Sequence, residues 1–160
     1  MINLHTIEKA LQRLIELADW KFALGLHIRF ANPTLLYQTY PQKWIDYYSE
    51  NGLVFADPTV HWAIANTGIC DWADLKSMDD GNVLGQAAEF GLRYGKVVSI
   101  GKESRTFGFF THSSRPITDE EIETARAILE EAHETTLGVT KLSEEELAPL
   151  RELNKSLPRS

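Results

Sequence analysis

The sequence has little cysteine and no long apolar run. Cys70 is its single cysteine, which excludes an internal disulfide framework and an all-cysteine metal site. No apolar run approaches the roughly 18 residues of a transmembrane helix. The N-terminal segment interrupts its apolar residues with charges and lacks the continuous core of a secretory signal. These absences predict a cytoplasmic protein of a reducing compartment.

Positive charge is also in deficit. The chain carries 16 Lys and Arg against 23 Asp and Glu, a formal net charge of -7. A nucleic-acid-binding protein normally presents a basic face that displaces the counterions of phosphate. The acidic residues gather in 119–134 and 144–146, and we interpret both stretches as solvated helix faces. We therefore expect no DNA binding by this chain alone.

Motifs for catalysis or metal binding are scarce. Asp57 and His61 are spaced to share a helix face, but no HExxH motif or Cys/His cluster completes a metal site. A nucleophilic Cys70 would need a base, for which His27, His61 and His112 are the candidates, and an oxyanion site. A lone cysteine is more often a small apolar core residue. The sequence predicts no catalytic residue, no metal and no cofactor, hence a protein that is not an enzyme.

Periodicity predicts an α+β fold. A chain of 160 residues corresponds to about one domain. Apolar residues at three- and four-residue steps predict amphipathic helices over 6–18 and 118–137, the second opened by a Thr118/Glu121 capping box. Alternating residues predict five strands, over 21–30, 34–39, 68–72, 96–100 and 106–112. The first strand should place Phe22, Leu24, Leu26 and Ile28 on one face.

Shorter helices and loops complete this prediction. Helices are expected from Pro41 to about Asn51, from Asp57 to Asn66, and over 83–93 with Gly95 beyond its end, and a loop is expected at Asn32–Pro33. The result is a sheet of about five antiparallel strands covered by helices on both faces, over residues 1–140. Residues 141–160 form a polar tail, in which Pro149 should break or fray a helix capped at Ser143.

Aromatic residues concentrate in 39–62, which holds six aromatic rings and three carboxylates in twenty-four residues. Tyr40, Trp44 and Tyr48 follow one another at four-residue steps and therefore share a helix face. Tyrosine and tryptophan need partners for their polar tips, and Asp57 needs one for its charge. Three interpretations compete: an ordinary core with solvated polar edges, a catalytic cleft, or a pocket for a small amphipathic molecule.

The spacing of these residues resembles the autoinducer-binding domain of LuxR-type quorum-sensing regulators. The series runs Trp44, x3, Tyr48, x8, Asp57-Pro58, x13, Trp72, followed by Gly95 in GLRYG. The six near-invariant positions of that family are matched by Trp44, Tyr48, Asp57, Pro58, Trp72 and Gly95. The resemblance covers about 22–137 and extends to Tyr40, Thr59 and Thr111. It departs at Ser99, where related domains often have proline.

The resemblance implies an α-β-α sandwich that binds an N-acyl homoserine lactone between the sheet and the helices on one face. Trp44 would donate to the lactone carbonyl, Tyr48 would donate to the amide carbonyl, and Asp57 would accept from the amide N–H. The other expected ligand-binding residues are Tyr40, Thr59 and Thr111 at the amide end, Trp72 as a wall, and Leu36, Val60 and Leu92 along the acyl chain. Pro58 and Gly95 are expected to be structural.

The resemblance also implies partners. Such a sensor would couple ligand binding to folding and to dimerisation, with 118–137 as the expected dimer surface. Residues 142–150 resemble the opening of a C-terminal helix-turn-helix domain. Two interpretations stay open: a ligand-binding fragment whose missing domain binds DNA, or a short natural protein that acts as an antagonist by heterodimerising with a related regulator. A different small ligand is a further alternative.

Overall fold

A computed structural model describes residues 2–30 and 32–159. Five antiparallel strands form one sheet in the order β2-β1-β5-β4-β3. The strands are β1 Lys21–Arg29, β2 Asn32–Gln38, β3 Gly68–Asp71, β4 Tyr94–Gly101 and β5 Arg105–His112. The helices are α1 Leu4–Leu17, α2 Gln42–Glu50, α3 Pro58–Ala65, α4 Val83–Glu89, α5 Asp119–Thr135 and α6 Glu144–Glu152. The predicted α+β fold is confirmed.

The sheet separates two cores. On one face, α1, α5 and α6 bury an aliphatic core that includes Leu14, Leu26, Leu129 and Leu150. On the other face, α2, α3 and α4 cover a core that is rich in aromatic rings, including Trp44, Trp72 and Phe107. Across residues 2–30 and 32–159, no helix combines the length and the apolar character needed to span a bilayer. The two faces of the sheet thus carry cores of different composition, one mainly aliphatic and one rich in aromatic rings.

The predicted helix starts follow the capping residues. Thr118 accepts from the backbone N–H of Glu121 at 3.1 Å, while the Glu121 carboxylate accepts from the Thr118 N–H at 2.9 Å, which confirms the capping box of α5. Asp57 caps α3 by accepting from the Thr59 N–H at 2.9 Å. Pro41 directly precedes α2 instead of occupying its first turn. Local side-chain chemistry therefore sets where these helices begin.

Strand β1 contains a bulge that the alternation did not reveal. The register against β5 shifts between Gly25 and Ile28, and His27 has a positive φ of 54°. An extra residue reverses the alternation of side chains beyond it. Ile28 consequently packs with the aromatic core, whereas Phe22 and the other predicted partners pack with the aliphatic core. The prediction of one shared face was wrong for Ile28.

The predicted loop at Asn32–Pro33 was also wrong. Both residues belong to β2, where Asn32 pairs with Arg29 and Pro33 with Ile28. Proline is tolerated there because β2 is an edge strand, so no second neighbouring strand needs its missing N–H. The connection between β1 and β2 is therefore shorter than the sequence predicted.

Gly95 lies within β4 and not at a helix end. Helix α4 ends at Glu89, and Gly91 follows it with a φ of 89°, so the predicted helix over 83–93 was too long. The indole of Trp72 lies directly over Gly95, since a Cβ at Gly95 would stand 2.2 Å from Trp72 Cδ2. Glycine is required at this position because an aromatic ring occupies the space of a side chain.

The C-terminal segment packs onto the sheet. Helix α6 continues through Pro149 and buries Leu147 and Leu150 in the aliphatic core. Leu150 O also accepts from the Tyr37 hydroxyl at 2.8 Å. This burial outweighs the one helical hydrogen bond that proline removes. The expected break at Pro149 was wrong, while a domain boundary at residue 140 stays a prediction.

Two stacked histidines connect the β1 bulge to the end of α5. The His27 and His133 rings lie 4.5 Å apart at 20°. The His27 ring nitrogens lie 2.6 Å from Ser104 Oγ and 2.8 Å from Thr136 Oγ1, and His133 Nδ1 lies 2.6 Å from Thr106 Oγ1. Burial lowers the pKa of both histidines, and the neighbouring His133 lowers the pKa of His27 further. The pair is therefore held neutral inside the fold.

This pair should make the protein less stable in mild acid. The two histidines bind protons near pH 6.5 in the unfolded chain but only at lower pH in the folded protein. The free energy of unfolding therefore keeps its full value above pH 6.5 and decreases as the pH falls below 6.5. We expect a slope of up to about 1.4 kcal/mol per pH unit for each histidine, measured by urea unfolding between pH 7.5 and 5. The pKa of Glu121, lowered to about 2 by the Arg115 guanidinium, leaves its contribution constant over that range.

The variants His27→Asn and His133→Gln should each flatten this slope. Asparagine is chosen at position 27 because it tolerates the positive φ. His61→Gln serves as control because His61 is exposed on α3. If stability depended equally on pH in the wild type and in all three variants, the pH dependence could not be assigned to His27 and His133.

The contact between Trp72 and Gly95 predicts that the two positions are energetically coupled in unfolding. Gly95→Ala should destabilise the protein by about 1–3 kcal/mol, because the strand backbone cannot move away from the ring. In a Trp72→Leu background the same substitution should cost much less, and a double-mutant cycle by urea unfolding measures the difference. Equal costs in the two backgrounds would show that the ring does not set the requirement.

Candidate ligand-binding site

A cavity of about 610 Å³ lies between the sheet and the helices of the aromatic core. Its floor is formed by β1 and β5, through the small residues Ala23 and Gly25 and the rings of Phe107 and Phe109. Side chains of α2, α3 and α4 form the opposite wall. The volume falls in the range of about 300–1,000 Å³ that is typical of small-molecule pockets.

Most of the residues predicted from the sequence meet in this cavity. Those that line it are Leu36, Tyr40, Trp44, Tyr48, Asp57, Thr59, Val60 and Trp72. Tyr40 does so from just before α2 and not from within the helix. The binding roles predicted for these residues stay predictions.

Leu92 and Thr111 do not line the cavity. Leu92 follows α4, where its N–H donates to Ala87 O at 3.1 Å and its side chain fills the aromatic core. Thr111 is fully buried on β5 opposite Gly95, beyond the floor residue Phe109. Leu92 therefore belongs to the packed part of the aromatic core, and Thr111 lies outside the lining of the cavity.

The Asp57 carboxylate is the centre of the polar end. It is 7% exposed and accepts three hydrogen bonds, from Thr59 N at 2.9 Å, Thr59 Oγ1 at 2.6 Å and Tyr48 Oη at 2.7 Å. The first of these caps α3, and the last ties α3 to α2. Because a carboxylate has about four acceptor positions, one stays available to a donor in the cavity.

The two tyrosines beside Asp57 stay protonated. Burial raises the pKa of Tyr40 and of Tyr48, and the negative charge of Asp57 raises both further. The Tyr48 proton is already engaged, since its hydroxyl donates to Asp57. Its predicted donation to an amide carbonyl therefore competes with this internal bond.

Several donors around the cavity have no acceptor within the described part of the chain. Trp44 and Tyr40 line the cavity, and the indole N–H and the hydroxyl make no hydrogen bond within residues 2–30 and 32–159, so both can donate to a molecule in the cavity. The N–H of Trp72, which also lines the cavity, is buried without a partner among the same residues. A buried donor of this kind costs about 1–3 kcal/mol when left unsatisfied. The site therefore favours a molecule that brings acceptors.

Helix α3 is held at both ends. Its N-terminus carries Asp57, and near its C-terminus Ala63 O accepts from Ser99 Oγ and from the Arg105 guanidinium, each at 2.9 Å. Arg105 also donates to Asn66 O. The serine at position 99 thus supplies a hydrogen bond that a proline could not, and it fixes the helix that carries the polar end of the site.

The floor and mouth of the cavity were missed by sequence reasoning. Phe107 and Phe109 line the floor, and their two-residue spacing in β5 is a signal that could have placed them on one face. Val54, Phe55 and Ile64 line the mouth, and no periodic pattern distinguishes them. Among the residues that the structure describes, no group of three or more His, Cys, Asp or Glu side chains is arranged to hold a metal.

Comparison with known proteins agrees with this architecture. A family model described as autoinducer binding domain matches residues 19–136. The transcriptional activator protein SolR of Ralstonia nicotianae is 28% identical over 90 residues, which cover 55% of this chain and 38% of SolR. The match therefore spans well under half of that relative.

Solved structures share the fold at lower identity. SdiA of Escherichia coli, solved in complex with octanoyl-rac-glycerol, is 19% identical with a TM-score of 0.65, over 98% of this chain and 72% of SdiA. CepR2 of Burkholderia cenocepacia, an N-acylhomoserine lactone dependent LuxR family transcription factor, is 20% identical with a TM-score of 0.56, over 85% of this chain and 92% of CepR2. Since the family model covers most of the chain, the protein belongs to the autoinducer-binding domains of LuxR-type regulators, which are ligand-binding sensor domains and not enzymes.

Proposed function

We propose that the cavity binds an N-acyl homoserine lactone and that this binding stabilises the folded sensor. One observation carries the proposal: in a mainly apolar cavity, the Asp57 carboxylate with an unused acceptor position lies beside Trp44 and Tyr40, whose donors have no partner within residues 2–30 and 32–159. An acyl homoserine lactone offers the complementary set, one amide N–H, two carbonyl groups and an apolar chain.

The pairing follows from which groups donate and which accept. Asp57 can only accept, so it takes the amide N–H, and Trp44 can only donate, so it takes the lactone carbonyl. The amide carbonyl needs a second donor. Tyr40 is the ready candidate because its hydroxyl has no partner among residues 2–30 and 32–159, whereas Tyr48 must first release Asp57.

Binding should couple to folding because it removes the cost of the unpartnered donors and buries an acyl chain. Each methylene that leaves water contributes about 0.8 kcal/mol. A ligand at a hundred times its Kd stabilises the folded state by about 2.7 kcal/mol. For a domain of this size the melting temperature should then rise by roughly 5–10 °C.

The downstream role follows from the relatives. SolR is a transcriptional activator, so this sensor would act in transcription regulation, through a helix-turn-helix domain of its own chain or through a related regulator with which it forms a heterodimer. An antagonist role remains the alternative function. The formal net charge of -7 disfavours DNA contact by the sensor itself.

The first test removes single polar groups from the site. Asp57→Asn retains a helix cap but loses the charge, and Trp44→Phe loses the indole N–H donor together with part of the ring. Each should weaken binding of dodecanoyl homoserine lactone by about 10–100-fold, because hydrogen bonds to charged or buried groups are worth about 1.5–3 kcal/mol. Isothermal titration calorimetry and the ligand-induced melting shift measure the loss.

The control is Tyr47→Phe, on the same helix as Trp44. The Tyr47 hydroxyl donates to Gln86 at 2.5 Å and its ring does not line the cavity, so binding should be unchanged. Octanoylglycerol is tested as a second ligand, because SdiA is solved in complex with it. Binding of octanoylglycerol alone, or lactone binding that survives Asp57→Asn undiminished, would refute the proposal.

Dimerisation is the second part of the proposed function, and it has its own test. The exposed face of α5 carries Arg126 paired with Glu123 at 2.5 Å and with Glu130 at 3.4 Å, while its apolar stripe faces the core. A dimer through this face of α5 would be held mainly by charged side chains, so it should weaken at high salt. Light scattering should detect a ligand-dependent dimer that Arg126→Glu weakens and that Lys102→Glu, on the β4–β5 turn, does not. A monomer under every condition would exclude dimerisation of this chain.

A further inference from the structure

We infer that the site selects lactones with a long acyl chain, dodecanoyl or longer, and that the end of the chain lies at the cavity mouth. This inference rests on the proposed function and deepens it, because it assigns the direction and the length of the ligand. It is carried by the distribution of polarity in the cavity, by the exposed side chains at its mouth, and by its volume.

The polar groups occupy the buried end. Asp57, Thr59 and Trp44 are each at most 7% exposed. A polar head that pairs with them is therefore enclosed, and the rest of the molecule must extend toward the accessible part of the cavity. The sheet floor along this path is apolar, with Gly25, Phe107 and Phe109.

The accessible end is bordered by apolar side chains that the protein leaves in solvent. Leu36 is 41% exposed, Val54 40%, Phe55 84% and Ile64 49%, and all four line the cavity. They come from three separate elements: β2, the 3₁₀ turn Leu53–Phe55, and α3. Exposed apolar residues that cluster in this way mark a binding surface.

The occupant of this surface is best assigned to the ligand itself. The four side chains border the same space that holds the polar groups, so the chain of a bound ligand reaches them without a second binding event. Asn32, Gln38 and Ser49 also line the cavity and keep the mouth partly polar. A protein partner would bury these polar groups, whereas an acyl chain that ends at the mouth leaves them in water.

The volume favours a long chain. A cavity of about 610 Å³ lies in the middle of the range of about 300–1,000 Å³ for pockets that enclose drug-sized ligands. Dodecanoyl homoserine lactone is a ligand of that size, whereas a butanoyl chain leaves a large part of the space empty. An unfilled apolar cavity loses contacts on every wall, so short chains should bind weakly.

The experiment measures Kd by calorimetry for butanoyl, octanoyl and dodecanoyl homoserine lactone. A buried methylene is worth about fourfold in affinity, so dodecanoyl should bind at least tenfold more tightly than octanoyl, even with its end partly in solvent. Phe55→Asn should lower the affinity for dodecanoyl several-fold and leave the affinity for butanoyl unchanged. Ile64→Asn should act in the same direction.

Phe30→Asn is the matched control. Phe30 is 88% exposed, like Phe55, but does not line the cavity, and asparagine accepts its positive φ of 51°. Equal affinity for octanoyl and dodecanoyl, or an equal loss for all chain lengths in Phe55→Asn, would overturn the long-chain inference and leave the proposed function intact. Failure of every chain length to bind would overturn both.

Discussion

The Asp57 carboxylate is the group on which the rest of the structure depends. It caps α3, binds the Thr59 hydroxyl and receives the Tyr48 hydroxyl from α2. A buried negative charge is tolerated only when several donors surround it. The same requirement that joins two helices therefore leaves an acceptor at the wall of the cavity, so the side chain that caps α3 is also the one that the proposed function assigns to the ligand amide.

The two faces of the sheet are built for different purposes. The face under α1, α5 and α6 is closely filled with aliphatic side chains, whereas the face under α2, α3 and α4 encloses the cavity. Strand β2 contacts both, because Leu36 lines the cavity while Tyr37 packs in the aliphatic core and bonds to Leu150 of α6. A molecule in the cavity would therefore contact a strand that also packs against the C-terminal segment.

Local patterns in the sequence were sufficient for the elements and for most of the polar site. The capping box at Thr118, the Asp57 cap and the aromatic spacing depend on residues close together in the chain, where side-chain geometry is nearly independent of the rest of the fold. The spacing of Trp44, Tyr48, Asp57 and Trp72 also carried the family resemblance, and all four line one cavity.

Contacts between distant residues decided the remainder. The bulge at His27 depends on partners in β5 and α5, and the role of Gly95 depends on the indole of Trp72 lying over it. Pro149 stays helical because α6 is packed against the sheet. The sequence by itself determined most of the segments that form helices and strands, and which side chains carry the donors and acceptors that now line the cavity. Only the tertiary structure decided the direction and mouth of the cavity, because enclosed space is bounded by residues far apart in the chain.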